Sequence, residues 1–186
     1  DEMMPDLLAD QPVLHCHMGG DNAWDARVVG WINAVRERAR TGVSAPRDIA
    51  DVNTYVDEMR LRKDADELKV MRRAAAISTT AHQRAMRMAR PGLSEYTIEA
   101  ELLHEFRRNG AQAPAYTSIV ASGANACVLH YVANDALLKD GDLLLIDAGC
   151  ELDGYASDIT RTFPVNGHYS GPQKDIYELV LAAQTA

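Results

Sequence analysis

The stretch LLLIDAGCELDGYASDITRTFPV, residues 143–165, constrains the fold more than any other part of the sequence. It holds two runs rich in apolar and β-branched residues, separated by Asp153-Gly154, and an Asp-Gly pair between such runs is a strong signal for a β-hairpin turn. Each run also contains an aspartate, Asp147 in the first and Asp158 in the second. Because an unpaired carboxylate is costly to bury, two of them within predicted strands require a chemical reason.

The register of this hairpin decides how close the two aspartates lie. A loop at Leu152-Asp153 would put Asp147 directly opposite Asp158, and a loop at Asp153-Gly154 would make them diagonal neighbours on the same face. A three-residue loop without a bulge would instead place them on opposite faces. Two close carboxylates can share a proton, bind a cation or simply face solvent, and a pair of divalent metals about 3.5 to 4 Å apart would match this spacing. The sequence leaves these alternatives open.

Helices precede strands along most of the chain. Asp64, followed by Glu67, has the spacing of a capping box and begins a long predicted helix, and a second helix is predicted from Ser94 to Gly110. Further elements follow them: strands in AYTSIVASG, CVLHYV, LLLIDAG and YASDITRTFPV, and a last helix starting at Ser170-Gly171. Helices followed by a run of strands indicate an α+β fold class.

The first third of the chain has a different pattern. It mixes a short apolar strand in PVLHCHMG, a helix predicted from Asp25 to about Arg40, and a proline-containing turn before DIADVNTYVDEMR. That is too little for a whole α/β domain, so we interpret it as the tail of one, with a boundary near residues 60–63. The sequence also starts without an initiator methionine and stops inside a helical pattern, which predicts a piece of a longer protein.

Composition excludes several classes of partner and compartment. The formal net charge of −8 argues against binding to nucleic acid or to an acidic membrane, since both require a basic surface. Three cysteines, an odd number without a repeating spacing, predict reduced thiols rather than a disulfide framework. No apolar run approaches the roughly 18 residues that span a bilayer. We therefore expect a soluble, cytoplasmic protein.

Three histidine motifs are candidate sites. The pair His15 and His17 in HCH could bind zinc, but no second cluster at finger spacing accompanies it. His168 lies in a predicted surface loop. His130, in LHYVAND, is placed among apolar residues on the strand that precedes the hairpin, where a lone histidine is more often a packed residue than a catalyst.

Three segments together resemble the aminopeptidase P group of the pita-bread metallopeptidases, the Xaa-Pro aminopeptidases: EMRLRKDADELKVMRRAA, AYTSIVASGANACVLHYVAND and DGDLLLIDAGCELDGYASDITRTFPVNG. The resemblance runs almost without a break from about Asp25 to Ala186. It implies that residues 61–186 are the first half of a pita-bread (creatinase/aminopeptidase) catalytic domain, which is incomplete. It also implies that residues 1–60 are the C-terminal portion of a creatinase-like N-terminal α/β domain.

The resemblance assigns roles to five side chains. It implies that Asp147 and Asp158 are the first two ligands of a dinuclear site, usually manganese, with Asp158 bridging the two metal ions. It places His130 beside the scissile peptide as a hydrogen-bonding group, and Tyr116 and Thr160 as supports of the ligand carboxylates. The other ligands, a histidine and two glutamates, would come later than residue 186, so we expect these 186 residues alone to be inactive.

The resemblance also implies a reaction and partners. An intact enzyme of this group would release the N-terminal residue from peptides with proline in the second position, and the free α-ammonium of such a peptide would suit a negative pocket. It would be a homo-oligomer without nucleic-acid or membrane partners. Two alternatives are a prolidase that cuts Xaa-Pro dipeptides and a non-catalytic pita-bread binding protein. The two intact carboxylates weigh against the non-catalytic alternative.

Overall fold

The computed structural model describes residues 1–186 and divides into two compact units, residues 1–63 and residues 64–186. The first unit contains, in chain order, α1 Met4–Leu8, β1 Val13–His15, α2 Asn22–Glu37, β2 Asp48–Ala50 and α3 Asn53–Leu61. Strands β1 and β2 pair in parallel. A small set of buried apolar side chains forms the core of this unit: Leu8, Cys16, Val28, Ile32 and Val35.

Helix α2 has different ends from those predicted. It begins at Asn22 rather than Asp25, because the Asp21 carboxylate caps it by accepting hydrogen bonds from the amides of Ala23 and Trp24 at 2.8 and 3.4 Å. It ends at Glu37 instead of continuing to Arg40, and a short 3₁₀ turn follows.

The second unit begins with two helices and continues into strands. Its elements are α4 Ala65–Met88, α5 Glu95–Arg108, β3 Ala113–Pro114, β4 Ile119–Ser122, β5 Leu143–Ala148, β6 Cys150–Leu152, β7 Tyr155–Ala156, β8 Ile159–Pro164 and α6 Gly171–Thr185. The strands form two antiparallel three-stranded sheets with the orders β3-β6-β7 and β4-β5-β8. This arrangement confirms the predicted α+β class.

Helices α4 and α5 pack together and cover one face of the strands. The predicted capping box at the start of α4 is present, with the Asp64 carboxylate accepting from two amides and Glu67 accepting from the Asp64 amide. Ser94 precedes α5 as expected, but its side chain makes no capping hydrogen bond. The core joins residues of both helices to alternate residues of β5: Ile77, Ala81, Ala85, Ile98, Leu102, Phe106, Leu144 and Ile146.

One continuous hairpin links the two sheets. Asp153 and Gly154 form its turn, and both have positive φ values, 50° and 82°, as a two-residue type I′ turn requires. The register pairs Leu152 with Tyr155 next to the turn and Asp147 with Thr160 further along. The loop at Asp153-Gly154 is therefore the one that the protein uses.

The backbone of Ser157 leaves no space for a side chain at Gly149 on the opposite strand of the hairpin. A Cβ atom at this position would lie 1.6 Å from the backbone oxygen of Ser157 and 2.4 Å from its carbonyl carbon, so no side chain fits there. Because Gly149 lies between Asp147 and the turn, this close approach sets the path of the chain immediately beyond the aspartate.

The predicted strand CVLHYV is wrong. Residues 123–127 form a short 3₁₀ helix, and the segment after it is a loop without strand pairing. Val128 and Leu129 are 55% and 86% exposed. A short apolar run does not by itself distinguish a strand from other structures, and here its apolar side chains point into solvent rather than into a core.

Two other sequence expectations concern cysteines and membranes. Cys16, Cys127 and Cys150 are all free thiols, as the sequence predicts. None of the helices is long and apolar enough to cross a membrane.

Candidate active site

Asp147 lies on the open face of β5. Leu144, Ile146 and Ala148 point into the core, and the intervening side chains, including that of Asp147, lie on the opposite face because successive residues of a strand alternate. Asp147 is therefore half-buried at the surface of the sheet instead of being sealed in the core. This answers how a carboxylate can be accommodated within an otherwise apolar run.

Asp158 immediately precedes β8, and its side chain is exposed. Since Asp147 is paired with Thr160, Asp158 lies two residues away from the directly opposite position. It is thus a diagonal neighbour of Asp147, as the predicted loop at Asp153-Gly154 requires.

Tyr116 joins the two carboxylates. Its hydroxyl oxygen lies 2.5 Å from Asp147 Oδ1 and 3.0 Å from Asp158 Oδ1. Burial, together with hydrogen bonds to the two carboxylates, raises the pKa of Tyr116 far above its usual value, so the phenol stays protonated and donates. A phenol has only one hydrogen to donate, so it cannot fully satisfy both acceptors at once.

No basic side chain balances the two aspartates. Neither Asp147 nor Asp158 forms an ion pair with a lysine, arginine or histidine. Two close carboxylates without a counter-charge repel each other, and a bound cation would remove this repulsion. Carboxylate oxygens are also the donors that hard divalent cations prefer. The chemistry of these donors therefore fits a divalent metal.

The donor set is nevertheless incomplete within this chain. No three histidine, cysteine, aspartate or glutamate side chains converge to hold a metal ion. The geometry thus provides two carboxylates on one wall of a site and leaves the remaining coordination positions to other groups.

A pocket of about 270 Å³ opens beside Asp147. His130 and Thr160 line it together with Asp147, and its walls are otherwise mainly apolar: Ile119, Ala121, Ala126, Cys127, Val128, Leu129 and Leu145. The structure therefore brings His130, Asp147 and Thr160 to one cavity. The Thr160 hydroxyl makes no hydrogen bond to either carboxylate, so a supporting role for it stays a prediction.

His130 reaches this pocket from the loop rather than from a strand. It is exposed, and its φ of 56° lies in the left-handed region, which is uncommon for a residue other than glycine. A residue held in this conformation must be constrained by its surroundings.

His82 is a buried histidine that sequence reasoning did not single out. It is 3% exposed on α4, and its Nε2 lies 3.1 Å from the backbone oxygen of Ala148, the residue after Asp147. Burial lowers the pKa of His82, so the ring is neutral, and Nε2 carries the hydrogen because a carbonyl can only accept. The sequence feature that could have identified His82 as buried is its position four residues after Ser78, on the buried face of α4.

The sequence of the chain matches a known protein family and several known proteins. Residues 69–186 match the model of metallopeptidase family M24. The chain is 49% identical over 166 residues to the Xaa-Pro aminopeptidase of Escherichia coli, covering 89% of this chain and 38% of that protein. It is 56% identical over 137 residues to the Xaa-Pro aminopeptidase of Haemophilus influenzae, covering 74% of this chain and 32% of that protein.

Solved structures agree with the sequence matches. The aminopeptidase PepP of Pseudomonas aeruginosa superposes with a TM-score of 0.95 at 53% identity, covering 100% of this chain and 42% of that one. Proline aminopeptidase P II of Yersinia pestis gives a TM-score of 0.91 at 46% identity, covering 99% and 43%. These likenesses confirm the predicted pita-bread fold class.

The chain spans between about a third and just over two fifths of the length of these relatives. The assignment of residues 1–60 to a creatinase-like domain is not tested by these matches and stays a prediction. The family model covers well over half of the 186 residues. The chain therefore belongs to metallopeptidase family M24.

Proposed function

We propose that this chain is part of a longer Xaa-Pro aminopeptidase, in which Asp147 and Asp158 are ligands of a dinuclear manganese site. The observation that carries the proposal is the pair of carboxylates linked by one tyrosine hydroxyl and lacking any basic partner. The names of the relatives support the reaction class, since both of the curated proteins compared above are Xaa-Pro aminopeptidases.

Each of the chain's own residues has a definite task in this proposal. Asp147 and Asp158 supply carboxylate oxygens to the metal ions. Tyr116 donates its hydroxyl hydrogen to these carboxylates and thereby fixes their orientation, as outer groups around metal ligands commonly do. Asp147 and Asp158 would hold the metal ions, which would supply a water of lowered pKa and polarise the scissile peptide carbonyl.

His130 lines the same pocket as Asp147 and is the hydrogen-bonding group that we assign to the substrate peptide. The uncompensated negative charge of the aspartates favours the free α-ammonium of the substrate. Homo-oligomerisation, expected from the resemblance, and a cytoplasmic location, expected from the composition, are part of the same proposal.

The decisive experiment compares two asparagine variants of the longer protein. Asp147→Asn should reduce release of the first residue from an Xaa-Pro-Xaa tripeptide at least about 100-fold, because a neutral amide is a poor ligand for a hard cation. Asp153→Asn is the matched control, since it lies in the turn of the same hairpin and asparagine tolerates a positive φ.

Substrate choice distinguishes this proposal from prolidase. The longer protein should cut the tripeptide and should leave Xaa-Pro dipeptides and Xaa-Ala-Xaa tripeptides largely intact. Preferential cleavage of the dipeptide would favour prolidase, and no cleavage of any of them by the metal-loaded protein would favour a binding protein. The 186-residue chain alone should release nothing even with added manganese.

A further inference from the structure

The segment 123–136, called here the histidine loop, is ordered although it buries little apolar surface. Val128, Leu129 and Val132 in this loop are 55%, 86% and 52% exposed. Both His130 and Asn134 have positive φ, 56° and 48°. Ordering a backbone costs conformational entropy, and hydrophobic burial cannot offset that cost here. Other contacts must hold the loop.

Glu95, at the start of α5, supplies the central contact. Its side chain is completely buried, and Oε1 accepts hydrogen bonds from the amide and the hydroxyl of Ser122 at 2.7 and 2.8 Å. Its other oxygen, Oε2, accepts from the hydroxyl of Tyr131 at 2.7 Å and from the amide of Ala136 at 3.0 Å. One carboxylate therefore ties together the residue before the loop, the middle of the loop and its end.

Asn134 makes a second attachment from within the loop. It is 2% exposed, and its Oδ1 accepts from the Val120 amide at 2.9 Å. Its Nδ2 donates to the Ser118 backbone oxygen at 2.9 Å and to Glu99 at 3.0 Å. The loop is thus fixed to β4 and to α5 at a second point, three residues after Tyr131.

The charge states suit these contacts at neutral pH. Burial acts to raise the pKa of Glu95, but the hydrogen bonds from Ser122, Tyr131 and Ala136 outweigh it and lower the pKa below its usual value. Burial and the nearby Glu95 raise the pKa of Tyr131 to about 12. Glu95 is therefore ionised and Tyr131 protonated, which is the pairing that gives a strong charge-assisted hydrogen bond.

We infer that Glu95 is a positioning residue, which acts through Tyr131 to hold the adjacent His130 against the pocket that contains Asp147. The inference rests on the role proposed above for His130, because the position of this imidazole affects the reaction only if it contacts the substrate. Nothing in the inference requires Glu95 itself to touch substrate or metal.

The test uses Tyr131→Phe in the longer protein, with Tyr96→Phe as the matched control. Tyr96 lies next to Glu95 on α5, is 57% exposed and forms no hydrogen bond. Hydrogen–deuterium exchange followed by mass spectrometry should show peptides within 123–136 exchanging about 10-fold faster in Tyr131→Phe, because the loop opens more often when a charge-assisted bond is lost. Tyr96→Phe should leave this exchange unchanged.

Kinetics of the same variants separate positioning from general destabilisation. Tyr131→Phe should lower kcat/KM for the tripeptide about 10-fold while the bound metal content stays at the wild-type value. Unchanged loop exchange would overturn the inference, and so would faster exchange with unchanged kcat/KM. If the unmodified protein has no tripeptidase activity, the proposed function fails, and the exchange rates still decide whether Glu95 and Tyr131 hold the loop.

Discussion

The pocket beside Asp147 has two walls that are built in different ways. The hairpin that carries Asp147 and Asp158 is held by a ladder of backbone hydrogen bonds, with a register that continues from Leu152 to Asp147 and beyond. The histidine loop has no such ladder and is held by the side chains of Glu95 and Asn134. Local sequence rules can therefore place the hairpin wall, whereas the wall formed by the histidine loop depends on side chains that are distant in the sequence.

Of the substitutions considered, one at Gly149 should lower the free energy of unfolding most, because it disrupts the hairpin. In Gly149→Ala the new Cβ atom would overlap the Ser157 backbone, and the strands would have to separate. We expect a loss of about 3 kcal/mol or more in the free energy of unfolding, measured by urea denaturation. Gly171→Ala is the control, because nothing lies within 4 Å of that position, and it should be close to neutral. Equal stability of the two variants would contradict the close approach.

Loss of the Glu95 carboxylate should destabilise the histidine loop, and the size of the effect should depend on pH. Glu95→Gln leaves the donors of Tyr131 and Ala136 facing an amide nitrogen and should cost about 2 kcal/mol at neutral pH. The folded pKa of Glu95 lies below the unfolded value, so its stabilisation is complete above the usual pKa of 4.5 and is lost as the pH falls through the folded pKa.

The measurement is urea unfolding of wild type and Glu95→Gln from neutral pH to below pH ~4. The difference between the two proteins should shrink at the acidic end. Glu151→Gln, at an exposed position on β6, is the control and should change stability by less than about 0.5 kcal/mol at neutral pH. A difference for Glu95→Gln that stays constant with pH would mean that the charge of Glu95 is not what holds the loop.

The hairpin wall was largely predictable from sequence because its determinants are local. Asp153-Gly154 favours a type I′ turn, and that turn sets which residues face each other. The capping box at Asp64 and the helix start at Ser170 are also local signals, and both are present. The sequence left three registers open, because two adjacent two-residue loops and a three-residue loop were all candidates. The pairing of Leu152 with Tyr155 and the positive φ values of Asp153 and Gly154 decide between them.

The loop wall was not predictable because its contacts join residues far apart in the chain. Glu95 is the first residue of α5. An acidic residue there is usually explained by the helix dipole, so nothing local marks it as buried. The run around Leu129 has the apolar pattern of a strand, yet no neighbouring strand pairs with it. Conversely, the placement of His130 at the pocket came from the resemblance and not from the predicted strand, which was wrong.

A variant of Tyr116 tests the hairpin wall separately from the histidine loop, because its hydroxyl contacts only Asp147 and Asp158. Tyr116→Phe removes the hydroxyl shared by Asp147 and Asp158 and should lower the free energy of unfolding of the metal-free chain by about 1 kcal/mol. The exposed Tyr96→Phe variant is again the matched control. An unchanged unfolding midpoint in Tyr116→Phe would show that this hydroxyl contributes nothing to the apo site.

The smallest expected change in the free energy of unfolding is an increase rather than a decrease. If the two carboxylates repel each other without metal, Asp158→Asn should stabilise the metal-free chain by about 0.5 kcal/mol, a small value because Asp158 is exposed to solvent. Asp153→Asn should leave the unfolding midpoint unchanged. Destabilisation by Asp158→Asn would indicate that the carboxylate has a structural role instead.

The metal content of the longer protein tests the central claim most directly. Wild type, Asp147→Asn and the Asp153→Asn control would be loaded with manganese, dialysed and analysed by inductively coupled plasma mass spectrometry. We predict that wild type and Asp153→Asn retain manganese and that Asp147→Asn loses most of it, because one of the two carboxylates on this wall is gone. Full retention of manganese by Asp147→Asn would contradict the assignment of the hairpin as a metal-binding wall.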